Sequence, residues 1–221
     1  YSAAEKKGST QEQSDVLYRW VNSNLKRAEK ADYIPGKKDE KAFDLLIVKL
    51  EEKGAWDELN QVRLIYANYS KNNDKQLYLF EAVFLSNNER GKETQTGILT
   101  RLYRFYQQNN NTKKQQAVLL ELIRKEDYQQ KDAAMKALAI ISLNNKDWLT
   151  SLKMHQQLHE IVLPEHSEEG VIVLDNLIML SKRLARNELT TQYLAKLALS
   201  TSPFVQDERR FLVFDELCRI Y

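Results

Sequence analysis

DEKAFDLLIVKLEEKGAWDELNQVRLIYANY, residues Asp39 to Tyr69, reads as two helices and the turn between them. Phe43, Leu46, Ile47 and Leu50 stand at i, i+3, i+4 and i+7, so they fall on one face of a helix. Gly54 interrupts the pattern. Leu59, Val62, Tyr66 and Tyr69 then form the apolar stripe of a returning helix. A short turn between two amphipathic helices is a unit that cannot cover its own apolar faces, and it invites repetition.

The unit does recur. Capping and turn residues place one series of helix starts at Asp39, Asp74, Thr112, Asp147 and Glu188, with steps of 35, 38, 35 and 41 residues. A second, interleaved series falls at Trp56, Lys92, Tyr128, Ser167 and Val205. Further stripes are Leu77, Phe80 and Phe84; Ile98, Leu102 and Phe105; Leu119, Leu122 and Ile123; Met135, Leu138 and Ile141; and Leu174, Leu177 and Ile178. The last expected stripe is Phe211, Phe214, Cys218 and Tyr221. Turns are expected at Asn72-Asn73, Asn87-Asn88, Asn109 to Asn111, Asn144-Asn145 and Arg186-Asn187, because asparagine tolerates left-handed backbone and bonds locally. Pro35, Pro164 and Pro203 all fall at proposed helix ends. No period-2 run with hairpin dipeptides appears, so the expected fold is all-α, with about eleven helices stacked as an α-solenoid of about five antiparallel pairs. The wide step from Asp147 to Glu188 marks the last third of that stack as irregular, and a special site is sought there.

The N-terminal side reads differently. Residues 1–13 are small and polar with no apolar run, and are taken as a tail or tether ahead of a helical-repeat domain spanning residues 14–221. A helix capped by Ser14 or Asp15 would run through Val16, Leu17, Trp20, Val21 and Leu25 towards Lys30, stopped by Tyr33-Ile34-Pro35-Gly36. A tether behind a removed leader or a membrane anchor would look like residues 1–13, and so would a plain cut in a longer chain. An extracytoplasmic, periplasmic setting is favoured over a cytoplasmic one, with an anchor placed before Tyr1. The chain itself has no run near the roughly 18 apolar residues that a bilayer span requires, so no membrane insertion is expected within it.

Composition narrows the partner. Lys plus Arg number 33 against 31 Asp plus Glu, a net charge of +2 with both signs interspersed, which argues against nucleic acid as a ligand. The lone Cys218 cannot close an intrachain disulfide, and its place seven residues after Phe211 puts it on an apolar face. The helical phasing of Tyr66 with Tyr69 and of Tyr103 with Tyr106 points to packing rather than base stacking.

Lys53-Gly54-Ala55-Trp56-Asp57-Glu58-Leu59 resembles the inter-helix turn of a tetratricopeptide repeat, where a glycine precedes an aromatic and a small or apolar packing residue. Asp127-Tyr128 follows the Ala55-Trp56 pair by 72 residues, and Asp147-Trp148, with Ser151 at the small-residue position, is similar in the other phase of the ladder. Ala198 and Pro203 have the spacing that closes a repeat of this family, while Ile47 stands where the family has a small residue. The resemblance implies binding of a protein or peptide on the face lined by the first helix of each pair. Lys41 and Asp44, Lys113 and Gln116, and Lys153 and Gln157 are the polar candidates on that face.

Catalytic chemistry has one place to look. His155-Gln156-Gln157-Leu158-His159 puts two histidines at i and i+4, a spacing that chelates zinc, with His166 as a conceivable third ligand. Gln156 occupies the position where a metalloprotease carries its general base, and an amide takes no proton from a metal-bound water. His155 and His159 are therefore expected to extend the stripe of Trp148 and Leu152, and a helical metal-binding protein or metal-dependent enzyme is the alternative reading. The six glycines form no phosphate-binding loop, and no nucleophile elbow is present. Asn68-Tyr69-Ser70 and Asn110-Asn111-Thr112 match the glycosylation pattern, a three-residue signal of low specificity. The expectation is a non-catalytic binding module without a cofactor, the sensory or scaffold portion of a larger bacterial membrane or regulatory protein.

Overall fold

The computed structural model describes residues 37–126, 128–162 and 167–220, together with residues 15, 16, 19 and 23. Ten helices and their turns make up the described residues, with no strand among them. The expected helix opening at Ser14 or Asp15 lies mostly outside the described residues, though the four described there are helical. The tail, the Tyr33 to Gly36 stop, Pro164, His166 and Tyr221 lie outside them altogether.

The chain divides into two compact units, residues 1–105 and 106–221. Unit 1 contains α1 (Lys37–Lys53), α2 (Trp56–Tyr69) and α3 (Asn73–Glu89), and the division falls within α4 (Thr96–Gln108). In it α1 packs on α2 and α2 on α3, around Leu46, Leu59, Val62, Leu79 and Phe80. Unit 2 contains α5 (Thr112–Arg124), α6 (Lys131–Asn144), α7 (Trp148–Ile161), α8 (Glu168–Arg183), α9 (Asn187–Ala198) and α10 (Asp207–Ile220). Each of these packs against the next, with Leu119, Leu122, Leu138, Leu152, Leu158, Leu174 and Leu177 buried between them.

Ten observed starts can be set against ten expected ones. Those at Trp56 and Thr112 coincide; Asp147 and Ser167 are the N-caps of α7 and α8, accepting from the backbone N–H of Thr150 and Gly170 at 3.2 and 3.1 Å. α4 begins at Thr96 rather than Lys92, because Gly91 and Lys92 still belong to the closure of α3. From Lys37 the first series runs to Asn73, Thr112, Trp148 and Asn187, steps of 36, 39, 36 and 39. The last step is no wider than the second, so the wide step expected from Asp147 to Glu188 is not repeated in the observed helix starts.

Five helices end in the same way. α1, α3, α4, α6 and α8 each close on a residue with positive φ, respectively Gly54 (66°), Gly91 (62°), Asn110 (52°), Lys146 (61°) and Ala185 (54°). The residue after it reaches back along the helix: Ala55 N–H donates to Leu50 O, Lys92 to Asn87 O, Asn111 to Tyr106 O, Asp147 to Ser142 O and Arg186 to Ser181 O, at 2.8 to 3.0 Å. This left-handed closure satisfies carbonyls that the helix end would otherwise leave bare. At four of the five, the next helix begins within two residues.

One expected face is overturned. Phe211, Phe214 and Cys218 of α10 point away from unit 2 and are exposed; the side turned inward is Arg209, Val213 and Glu216, at i, i+4 and i+7. Two ion pairs to α8, Arg209 with Asp175 and Lys182 with Glu216, fix that rotation around the buried Val213.

Candidate functional site

Of the six polar candidates, three have structural duties or burial. Asp44 of α1 pairs with Lys75 of α3 at 2.7 Å, and the Lys75 ammonium also lies over the Tyr66 and Tyr78 rings, 5.1 and 5.8 Å from their centroids. Tyr66 stacks on Phe43 at 4.7 Å, and its hydroxyl pKa is pushed up by burial first and then by the carboxylates of Asp44 and Glu40. Gln116 ties α5 to the end of α6, donating to Ser142 Oγ at 3.0 Å and accepting from Asn145 at 3.4 Å. Gln157 is half-buried, and its carbonyl oxygen has no hydrogen-bond partner among the described residues. Lys41, Lys113 and Lys153 are exposed on α1, α5 and α7.

The two described histidines are buried in α7, at 4% and 8% exposure. His155 Nδ1 lies 2.9 Å from Ser151 O, one turn back on its own helix. Burial lowers its pKa, and that hydrogen bond opposes the shift. His159 turns to α9: its Nε2 is 3.1 Å from Lys196 Nζ, and its ring meets Tyr193 edge-on at 6.2 Å. An ammonium can only donate, so Nε2 is the acceptor in this contact. Gln156 reaches the same helix, donating to Tyr193 Oη at 3.1 Å. No group of three or more histidine, cysteine or carboxylate residues stands ready for a metal among the described residues.

The reading from sequence missed a groove. It holds about 500 Å³ between α8 and α10, over a floor from α9. Ile178, Leu194, Leu197 and Val213 make it apolar, and the Asp175–Arg209 and Lys182–Glu216 pairs bracket it. Burial raises the Asp175 pKa, opposed by the charge and hydrogen bond of Arg209. A signal for it was present: Asp175 precedes Arg209 by 34 residues, and Lys182 precedes Glu216 by 34, so complementary charges recur at one separation.

The same separation organises other contacts within each unit. In unit 1 the Arg90 guanidinium covers the Trp56 ring at 4.6 Å, 34 residues back, and Lys92 pairs with Asp57, 35 residues back. Lys92 holds the Asp57 carboxyl below its usual range. Arg101 donates to Asn68, 33 residues back, at 2.7 Å. In unit 2 Arg183 covers Trp148 at 4.9 Å, 35 residues back, and Lys136 pairs with Glu169, 33 residues on, at 2.6 Å. The first residue of α2 or α7 thus lies beside the end of the helix that follows it.

No family model matches the chain, and neither a curated protein nor a solved structure matches it.

Proposed function

We propose that the chain is a non-catalytic helical-repeat module of the tetratricopeptide kind, built in each unit from antiparallel helix pairs, that binds a peptide or protein. The observation that carries this reading is the repetition of side-chain contacts across 33 to 37 residues: Trp56 with Arg90, Trp148 with Arg183, Lys136 with Glu169, Gln156 with Tyr193. A compact bundle has no reason to reuse one separation, whereas stacked repeats contact their neighbours at that separation by construction. Such stacks bind along an extended face. Lys41, exposed on α1 of unit 1, and Lys113 and Lys153, exposed on α5 and α7 of unit 2, each offer a cation within their own unit to a partner carrying carboxylates.

An array of short peptides, acidic and basic in equal number, tests this. The chain is expected to retain the acidic set. Replacing Lys41, Lys113 and Lys153 together by alanine should weaken retention at least tenfold while leaving the circular dichroism spectrum unchanged. Equal retention by wild type and triple variant would reject this choice of residues, and retention of neither set would reject peptide binding.

A further inference from the structure

We infer that α10 is a displaceable strap seated in an acceptor groove of α8 and α9, and that the opened groove takes a partner helix with a cation, an apolar residue and a carboxylate at i, i+4 and i+7. None of the lysines proposed above takes part, so the two readings stand or fall separately. Burial shows how lightly α10 is held. Of its 14 residues only Val213 is buried, whereas each of the other five helices of unit 2 buries four to eight. Its larger apolar side chains, Phe211, Leu212 and Phe214, are exposed and add nothing to the hold. What it covers is poorly filled: about 500 Å³ stays open over Ile178, Leu194 and Leu197. α10 packs directly on α9 but reaches α8 through the Arg209–Asp175 and Lys182–Glu216 pairs, whose side chains are 27% to 49% exposed. Pairs so open to water hold weakly and are screened by salt. A helix with one buried apolar residue and two wet ion pairs lies at the low end of local stability, where elements open without unfolding the rest.

The hinge lies at the linker from α9. Ser202 and Val205 are buried there, and Arg210 donates to Ser202 O at 2.5 Å, so the first turn of α10 stays tied while the rest swings. The strap itself defines what the groove accepts. Arg209 meets Asp175, Val213 covers the apolar floor, and Glu216 meets Lys182. Asp175 and Lys182 stand seven residues apart on one helix, about 10 Å along its axis. Among the described residues neither has another ion-pair partner, so opening leaves a carboxylate and an ammonium bare on either side of an apolar floor. A helix with the same charges at the same spacing restores both pairs, and one with the two charges exchanged sets like beside like. Burial raises the Asp175 pKa against the pull of Arg209, and that carboxyl regains water when the strap leaves, which offsets part of the cost of opening.

Hydrogen exchange of the whole chain tests the strap. Amides of α10 should exchange at least about tenfold faster than those of α8, and raising NaCl from about 0.05 M to about 0.5 M should speed α10 about threefold to tenfold while leaving α8 unmoved. A labelled peptide of residues 206–220, the sequence of α10, probes the groove. The wild-type chain should take it up weakly, because the tethered strap competes at high effective concentration. Arg209→Glu with Glu216→Arg repels the strap, so this double variant should bind the peptide at least about tenfold more tightly, and should refuse a peptide carrying the same two exchanges. Glu216→Gln, which removes one partly exposed pair and is gentle on folding, should raise both α10 exchange and peptide affinity about threefold. Amides of α10 as protected as those of α8, or indifferent to salt, overturn the strap. No peptide bound by either variant, or equal binding of the two peptides, overturns the acceptor groove.

Discussion

Replacing Lys146 by glycine should stabilise unit 2. Lys146 closes α6 at φ 61°, where a Cβ crowds the backbone and costs about 1–2 kcal/mol. Glycine removes that crowding and surrenders about 0.5–1 kcal/mol of extra chain entropy in the unfolded state. The side chain is exposed, so no packing is lost. The net expectation is a gain of about 0.5–1 kcal/mol. The mirror experiment is Gly91→Ala in unit 1, at φ 62°, where an added Cβ would meet nothing within 4 Å. With no steric contact to confuse the result, it should cost about what Lys146→Gly gains. Gly54→Ala should behave alike, because its Cβ would touch Trp56 Nε1 only at an ordinary 3.5 Å.

Urea denaturation followed by circular dichroism measures both signs on one scale, and the slope with denaturant should not change. In a heating experiment the shifts should be about 1–4 °C in each direction. Lys146 and Ala185 share no bonding partner and lie in different turns, so Ala185→Gly should add to Lys146→Gly. Destabilisation by Lys146→Gly, or indifference to Gly91→Ala, would show that left-handed closure is not what ends these helices, and the account of five equivalent turns would fall.

Glu51→Gln should destabilise unit 1 by about 1–3 kcal/mol in the same assay, because it weakens the 2.5 Å pair to a buried Arg63 guanidinium whose other contact is Asn60; a change below a few tenths would mean Arg63 is content without its charge partner. A double-mutant cycle on Trp148→Ala and Arg183→Ala should return a coupling of about 0.5–1 kcal/mol, and the Trp56/Arg90 cycle should match it. His155 is buried with a lowered pKa, so its ring stays neutral to lower pH in the folded chain than in the unfolded one, where the imidazole protonates with its ordinary value near 6.5. Its contribution to stability is therefore complete above that pH and is lost as pH falls through it, and His155→Gln should flatten the decline in urea midpoint between pH 7.5 and 5.5.

Helix starts were legible because they depend on local chemistry. Asp147 and Ser167 cap where their side chains can reach two or three residues ahead, and no tertiary contact is needed to say so. Helix ends were less so. In Asn144-Asn145-Lys146-Asp147, propensity puts the left-handed residue on an asparagine, yet φ turns positive at Lys146. The register is set from the far side: Asp147 must cap α7, and the residue before a cap is the one that closes the preceding helix. Two local preferences competed and the cap won, leaving lysine in a conformation it disfavours.

Which face of α10 turns inward could not be read from its own stripe, because the helix carries apolar residues on two sides. Phe211, Phe214 and Cys218 make the better-spaced stripe, and Val213 is a single residue between two charges. Charge decides it, through Arg209 and Glu216, whose partners Asp175 and Lys182 stand 34 residues earlier. The same principle sorts the candidate site. Asp44 and Gln116 looked free because hydropathy sees one helix at a time, but Lys75, Ser142 and Asn145, which engage them, lie 26 to 31 residues further along. In a chain of helices that pack each on the next, a charge belongs to the surface only after the residues on the neighbouring helices have been consulted. By that rule Lys41 in unit 1 and Lys113 and Lys153 in unit 2 stay exposed, and Phe211 and Phe214 of α10 stay exposed because the ion pairs to α8 turn Val213 inward in their place.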